Sequence, residues 1–218
     1  MLVDLLAPIR AASAETLARA LESLDLAVVG LAAPDEHLEA LPSLVRKNLV
    51  VVPRCIHEST DRAPLPPRRL SRRRLPLCVP RSLSVARMLA KVRSYVPIAL
   101  RPDTLKFVDE TQVNFMSSSR ERKFIEVALG DFLELGRVGQ KPRMSFERAL
   151  HYLCKTIDRA LRLDVGIVVS SGTSVVMHPL QIRAVLYSLG YTKRERALLT
   201  QAYPLELLAK WVKDHGRR

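Results

Sequence analysis

Short apolar runs alternate along the chain with segments whose apolar residues recur every three or four positions. The runs LVDLL (2–6), LAVVGL (26–31), LVVVP (49–53), LPLCVP (75–80), VPIAL (96–100), KFIEVAL (123–129) and VGIVVS (165–170) read as strands. Between them, SAETLARALESL (13–24), PDEHLEALPSLVRKN (34–48), SLSVARMLAKV (82–92), VDETQVNFMSSSR (108–120) and SFERALHYLCKTIDRALR (145–162) read as helices, with Pro42 set to break or kink the second. The last of these is the clearest, with Phe146, Ala149, Leu150, Leu153, Ile157, Ala160 and Leu161 on one face. GRVGQKPR (136–143) reads as a Gly/Pro loop, PLQIRAVLYSLG (179–190) as a helix with Pro at its start and Gly at its end, and 193–214 as a helical tail interrupted at Pro204.

Strand–helix alternation on this scale predicts a parallel sheet with helices outside. Seven units and a short eighth predict a small (β/α)8 TIM-like barrel, with 1–218 as one domain. A doubly wound open sheet is the alternative, but it carries a Gly-rich loop after its first strand, where this chain has APIRAAS. One connection breaks the rhythm. Between 49–53 and 75–80 a helix is due, and instead 54–74 is rich in proline and arginine, without an apolar face. The expectation is an exposed, structureless connection, which at this length is either functional or disordered.

Charge sharpens that expectation. Arg68, Arg69, Arg72, Arg73 and Arg74 occupy five of seven positions, fenced by Pro64, Pro66, Pro67 and Pro76. The chain carries 35 Lys and Arg against 22 Asp and Glu, a net charge of +13. Residues 1–45 hold two arginines and seven acids, net −5, so the remaining 33 basic and 15 acidic residues carry +18. A polyanionic partner accounts for so much self-repelling charge, and nucleic acid does so better than a membrane, since no basic helix has an aromatic-rich face. The N-terminus, with an early acid and no basic stretch, reads as lacking a signal peptide, and no apolar run reaches the roughly 18 residues of a membrane span. The expected location is cytoplasmic.

The chemistry of catalysis is sparse. Cys55, Cys78 and Cys154 are scattered and read as small buried thiols, and no Cys/His spacing suggests a metal. Asp4 is a lone carboxylate at the first strand and reads as a polar-layer or capping residue. Ser170, Ser171 and Gly172 end the seventh strand, where hydroxyls and free N–H groups either hold a phosphate or cap a turn. Arg148, Lys155, Arg159 and Arg162 form one stripe of the helix 145–162, Lys193, Arg194 and Arg196 open the tail helix, and Lys210, Lys213 and Arg217 line its end. Together with Arg54 and the arginine run, these form a distributed phosphate-contacting surface. Aromatic residues are 5% and not interleaved with the basic ones, which predicts contact with backbone or folded shape over base stacking.

The segment VGIVVSSGTSVVMHPLQIRAVLYSLGYTKRERALLTQAYPLELL (165–208) resembles the TIM-barrel protein subunit of archaeal and eukaryotic ribonuclease P, protein component 3 in archaea. The shared features are Ser170-Ser171-Gly172, the helix-initiating Pro179, Leu189-Gly190 and Tyr203-Pro204. The resemblance is carried by 145–208, extends over 75–135, and before 75 rests on strand–helix order alone. The chain diverges where Met177-His178-Pro179 replaces Arg-Ser-Pro, Leu129-Gly130-Asp131 replaces Leu-Arg-Pro, and Ala197 stands near a common lysine.

The resemblance implies an RNA-binding subunit of an endoribonuclease that matures the 5′ end of precursor tRNA. The catalyst would be the ribonuclease P RNA with its Mg²⁺; the chain itself would hold no cofactor or metal and do no chemistry. Its partners would be that RNA and the small ferredoxin-like subunit, protein component 2, with precursor tRNA met indirectly. Several usual RNA-contacting positions are empty here, which shifts the expected contacts to Arg68–Arg74, Arg183, Lys193, Arg194 and Arg196. The rival reading is a barrel enzyme for a phosphorylated small molecule, with Ser170, Ser171 and Gly172 as clamp.

Overall fold

The computed structural model describes residues 2–8, 13–45, 48–92, 95–136 and 145–215. Most of the loop 136–143, as well as Arg217, lies outside the described residues. Seven parallel strands follow one another in chain order: β1 (Val3–Ala7), β2 (Val28–Leu31), β3 (Val50–Ser59), β4 (Leu75–Pro80), β5 (Ile98–Leu100), β6 (Phe124–Ala128) and β7 (Gly166–Ser170). Each predicted apolar run became a strand. An eighth strand does not follow among the described residues; the tail stays helical, so the eightfold count is corrected to seven. The ring nearly closes without it. Gly172 N–H donates to the Leu6 carbonyl at 3.0 Å, and Ser171 bonds to Asp4, so the exit of β7 is joined to β1 outside any regular ladder.

Helices cover the outside: α1 (Ala14–Glu22), α2 (Asp35–Leu44), α3 (Arg68–Arg73), α4 (Leu83–Leu89), α5 (Glu110–Ser117), α6 (Leu129–Glu134), α7 (Phe146–Arg162), α8 (Pro179–Ser188), α9 (Lys193–Ala197), a π turn (Leu198–Ala202) and α10 (Tyr203–His215). Side-chain oxygens of Ser13, Ser82, Asp109 and Ser145 cap α1, α4, α5 and α7. Pro42 is contained within α2. Pro204 does not break the tail; the π turn before it absorbs the mismatch left by its missing N–H.

The main apolar core lies between sheet and helices, from Val85 and Leu89 of α4 through Val113 of α5 and Leu153 and Ile157 of α7 to Leu199 and Leu207. A separate cluster, including Leu17, Leu21, Val29, Leu31 and Leu41, packs α1 and α2 on the first strands. A third, small cluster of Leu6, Leu77, Val79 and Ala99 joins β1 to β4 and β5, which are not its neighbours in the sheet, and therefore fills the interior of the ring. Strand β3 divides its pairing: Val50–Pro53 pair β2, and Arg54–Ser59 pair β4.

That pairing corrects the reading of 54–74. Residues 54–59 belong to a strand, and 68–73 form one and a half turns of helix. The irregular part shrinks to the stretch between Ser59 and Arg68.

Candidate nucleic-acid interface

The polar interior is already spoken for. Arg54 on β3 and Glu126 on β6 are both 0% exposed, and Arg54 Nη2 donates to Glu126 Oε2 at 2.5 Å. The two strands are three apart in the sheet, so this ion pair crosses the inside of the ring. Ser170 Oγ donates to the other oxygen of Glu126 at 3.1 Å. Asp4 accepts from the Ser171 N–H at 3.1 Å and from the Ser171 hydroxyl at 2.5 Å. Burial pushes the Asp4 carboxyl above its usual range, and the Ser171 and Leu6 donors pull against that shift.

These contacts correct three expectations. Arg54, Ser170 and Ser171 are enclosed within the protein and cannot meet RNA there. The phosphate clamp at the end of β7 fails for a second reason. Gly172, at φ +102°, turns the chain so that the N–H groups of Thr173 and Ser174 point at Asp131 Oδ1, at 2.8 and 2.9 Å. The Thr173 hydroxyl donates to Asp131 Oδ2 at 2.9 Å. A carboxylate from α6 thus sits where an incoming anion would have to sit, and it already takes the N–H groups such an anion would need. The rival enzyme reading loses its clamp.

The outside is different. Arg68, Arg69, Arg72 and Arg73 are exposed on α3, and among the described residues none of them meets a carboxylate. Other arginines do: Arg74 with Asp35, Arg81 with Glu58 and Asp103, Arg87 with Asp109, and Arg122 with Asp164 and Glu206. Arg74 is therefore a tether; its Nη1 also donates to the Arg54 carbonyl at 3.3 Å. A six-residue helix with like charges four apart has no stability of its own. Tertiary contacts hold it: Ser71 is buried, and its carbonyl accepts the Trp211 indole N–H from α10 at 3.0 Å. Beside this ridge lies a surface groove of about 620 Å³ lined by Asp35, Pro67, Arg69, Leu70, Arg72 and Arg73.

Further basic residues lie on α7, α8 and α9. Arg148, Lys155 and Arg162 are exposed on α7, while Arg159 donates to Asn114 at 2.9 Å. Lys193 and Arg194 are exposed at the start of α9, and Arg183 is half-buried, with Nε 3.4 Å from the Thr200 hydroxyl. Lys210 is engaged by Glu206 and the Arg122 carbonyl. The structure also interleaves what the sequence keeps apart. The Arg148 guanidinium lies 5.7 Å from the Tyr152 ring centroid, Arg196 lies 4.9 Å from Tyr187, and Arg87 lies 5.3 Å from Phe115. All three rings are exposed.

Among the described residues, no group of three or more His, Cys, Asp or Glu converges as a metal site, and no helix is long and apolar enough to cross a membrane. No protein-family model and no curated protein matches the sequence. Among solved structures, a chain of the cryo-EM structure of archaeal Ribonuclease P with mature tRNA superimposes with a TM-score of 0.67. The match covers 97% of this chain and 91% of that one, at 15% identity. The two chains share a fold. The likeness to a ribonuclease P protein read from residues 165–208 is thus met in three dimensions, over nearly the whole length.

Proposed function

We propose that this chain is the RNA-binding barrel subunit of a ribonuclease P of archaeal type. The observation that carries the reading is the near full-length fold match to a chain of that ribonucleoprotein. Two features of the chain support it: a net charge of +13, and exposed arginines on α3 that meet no carboxylate among the described residues. In this reading the RNA, with its Mg²⁺, cuts precursor tRNA at its 5′ end. The protein lowers the repulsion between packed RNA helices and favours the active RNA shape, alongside the small ferredoxin-like subunit. Contacts fall to Arg68, Arg69, Arg72 and Arg73, to Arg148, and to Arg183, Lys193, Arg194 and Arg196.

The rows Arg68/Arg72 and Arg69/Arg73 each rise about 6 Å along α3, which lets them track neighbouring phosphates of one strand. Replacing the four arginines with alanine is expected to lower the slope of log affinity against log salt by about 3, at roughly 0.7–0.9 per phosphate contact. The measurement is filter binding to ribonuclease P RNA across a salt series, together with precursor-tRNA cleavage after reconstitution of RNA and both proteins. An unchanged slope removes α3 from the interface. Absence of any stimulation of cleavage by the unaltered chain overturns the proposed function.

A further inference from the structure

We propose that Tyr187 and Arg196 form a stacking site for one unpaired nucleotide of RNA, with Lys193 and Arg194 taking the adjoining phosphates. The inference rests on the RNA-binding reading and narrows it to a class of RNA element. Tyr187 is 67% exposed, the most exposed of the large apolar side chains described. It projects from α8, and the Arg196 guanidinium of α9 lies over its ring at 4.9 Å from the centroid. The two stand nine positions apart in sequence, and the tight turn between the helices brings them together. Gly190 makes that turn at φ +93°, and the buried Tyr191 pins it to the core.

The geometry around the pair favours an anion. From Pro179 to Ala197 the basic residues are Arg183, Lys193, Arg194 and Arg196, and the acid is Glu195 alone. The Glu195 carboxylate is turned onto Thr192, whose N–H and hydroxyl both donate to Oε2 at 2.8 Å. Those hydrogen bonds hold its pKa below the ordinary carboxylate value. The capping box therefore fixes the start of α9 and turns the one acid of this stretch onto Thr192, while Asp158 of α7 faces Tyr191 at the turn. The result is an aromatic–guanidinium platform edged with cations that pair with no carboxylate among the described residues.

Such a platform suits a base with a free face. In a duplex both faces of every base are stacked, and the deep major groove of A-form RNA excludes side chains. A bulged or looped nucleotide offers its face to a tyrosine or guanidinium plane, and loss of one such stack costs about tenfold or more in affinity.

The test uses a short RNA hairpin with 2-aminopurine in a one-nucleotide bulge and a fully paired twin, each titrated with the full chain at fixed salt. The unaltered protein and Tyr187→Phe are expected to quench the bulged probe and to bind it about tenfold more tightly than Tyr187→Ala does. All three should bind the paired twin equally. Tyr187→Ala binding and quenching the bulged probe like the unaltered chain overturns the stacking site and leaves RNA binding standing. Equal weakening on both probes overturns it as well. Failure of the unaltered chain to bind either probe overturns the wider RNA-binding reading with it. Thermal melting by circular dichroism is expected to be unchanged, because the ring lies outside the core.

Discussion

Arg54 is held in a place where a guanidinium is costly. It is fully enclosed, its single ionic partner is Glu126, and its Nε and Nη1 have no hydrogen-bond partner among the described residues. Removing one member of such a pair strands the other charge. Arg54→Ala is expected to lower unfolding free energy by about 3–5 kcal/mol in urea titration, while Arg54→Met with Glu126→Leu should restore most of it. Cys78 illustrates burial acting on a single group. Desolvation pushes its thiol up to about 11, so at pH 8 only about one molecule in a thousand carries the thiolate. Alkylation at pH 8 is expected to leave Cys78 unlabelled in the native protein and to label it in urea. Signals for these residues were present in the sequence. Asp4 in LVDLL and Glu126 in KFIEVAL are carboxylates inside apolar runs, and such residues need partners. What the sequence could not tell was the pairing, because Arg54 and Glu126 stand 72 positions apart and meet only after the ring curls.

At the level of elements, alternation located all seven strands, because β-branched runs bounded by helical periodicity are a strong local signal. Two short helices escaped it. α6 begins directly where β6 ends, so its LGDFLE read as the end of a strand run and a break from the family pattern. α3 escaped because prolines and like charges argue against a helix, and only contacts from β3 and α10 overrule them. The arginine ridge therefore depends on an anchor 140 residues away. Trp211→Ala removes a hydrogen bond worth about 1 kcal/mol, which should speed tryptic cleavage within 68–74 about fivefold, read by mass spectrometry of a timed digest. The same variant should weaken RNA binding less than the four-alanine variant does, since the charges remain.

For the whole molecule, charge is unevenly spread, and so is the core. Residues 1–45 carry −5 and the remainder +18. The helices α1 and α2 of the acidic part pack in an apolar cluster of their own, apart from the main one. Strand β3 then passes its hydrogen bonds from β2 to β4 between Pro53 and Arg54, so the two regions meet along a line that the backbone crosses once in the sheet there. Along such a line a protein gives way piecemeal. Native-state hydrogen exchange should report a lower opening free energy for amides of α1, β2 and α2 than for those of β4, β6 and β7. The first portion to let go on warming is thus the acidic one, and in the proposed role the cationic remainder would keep its hold on RNA after that corner has frayed.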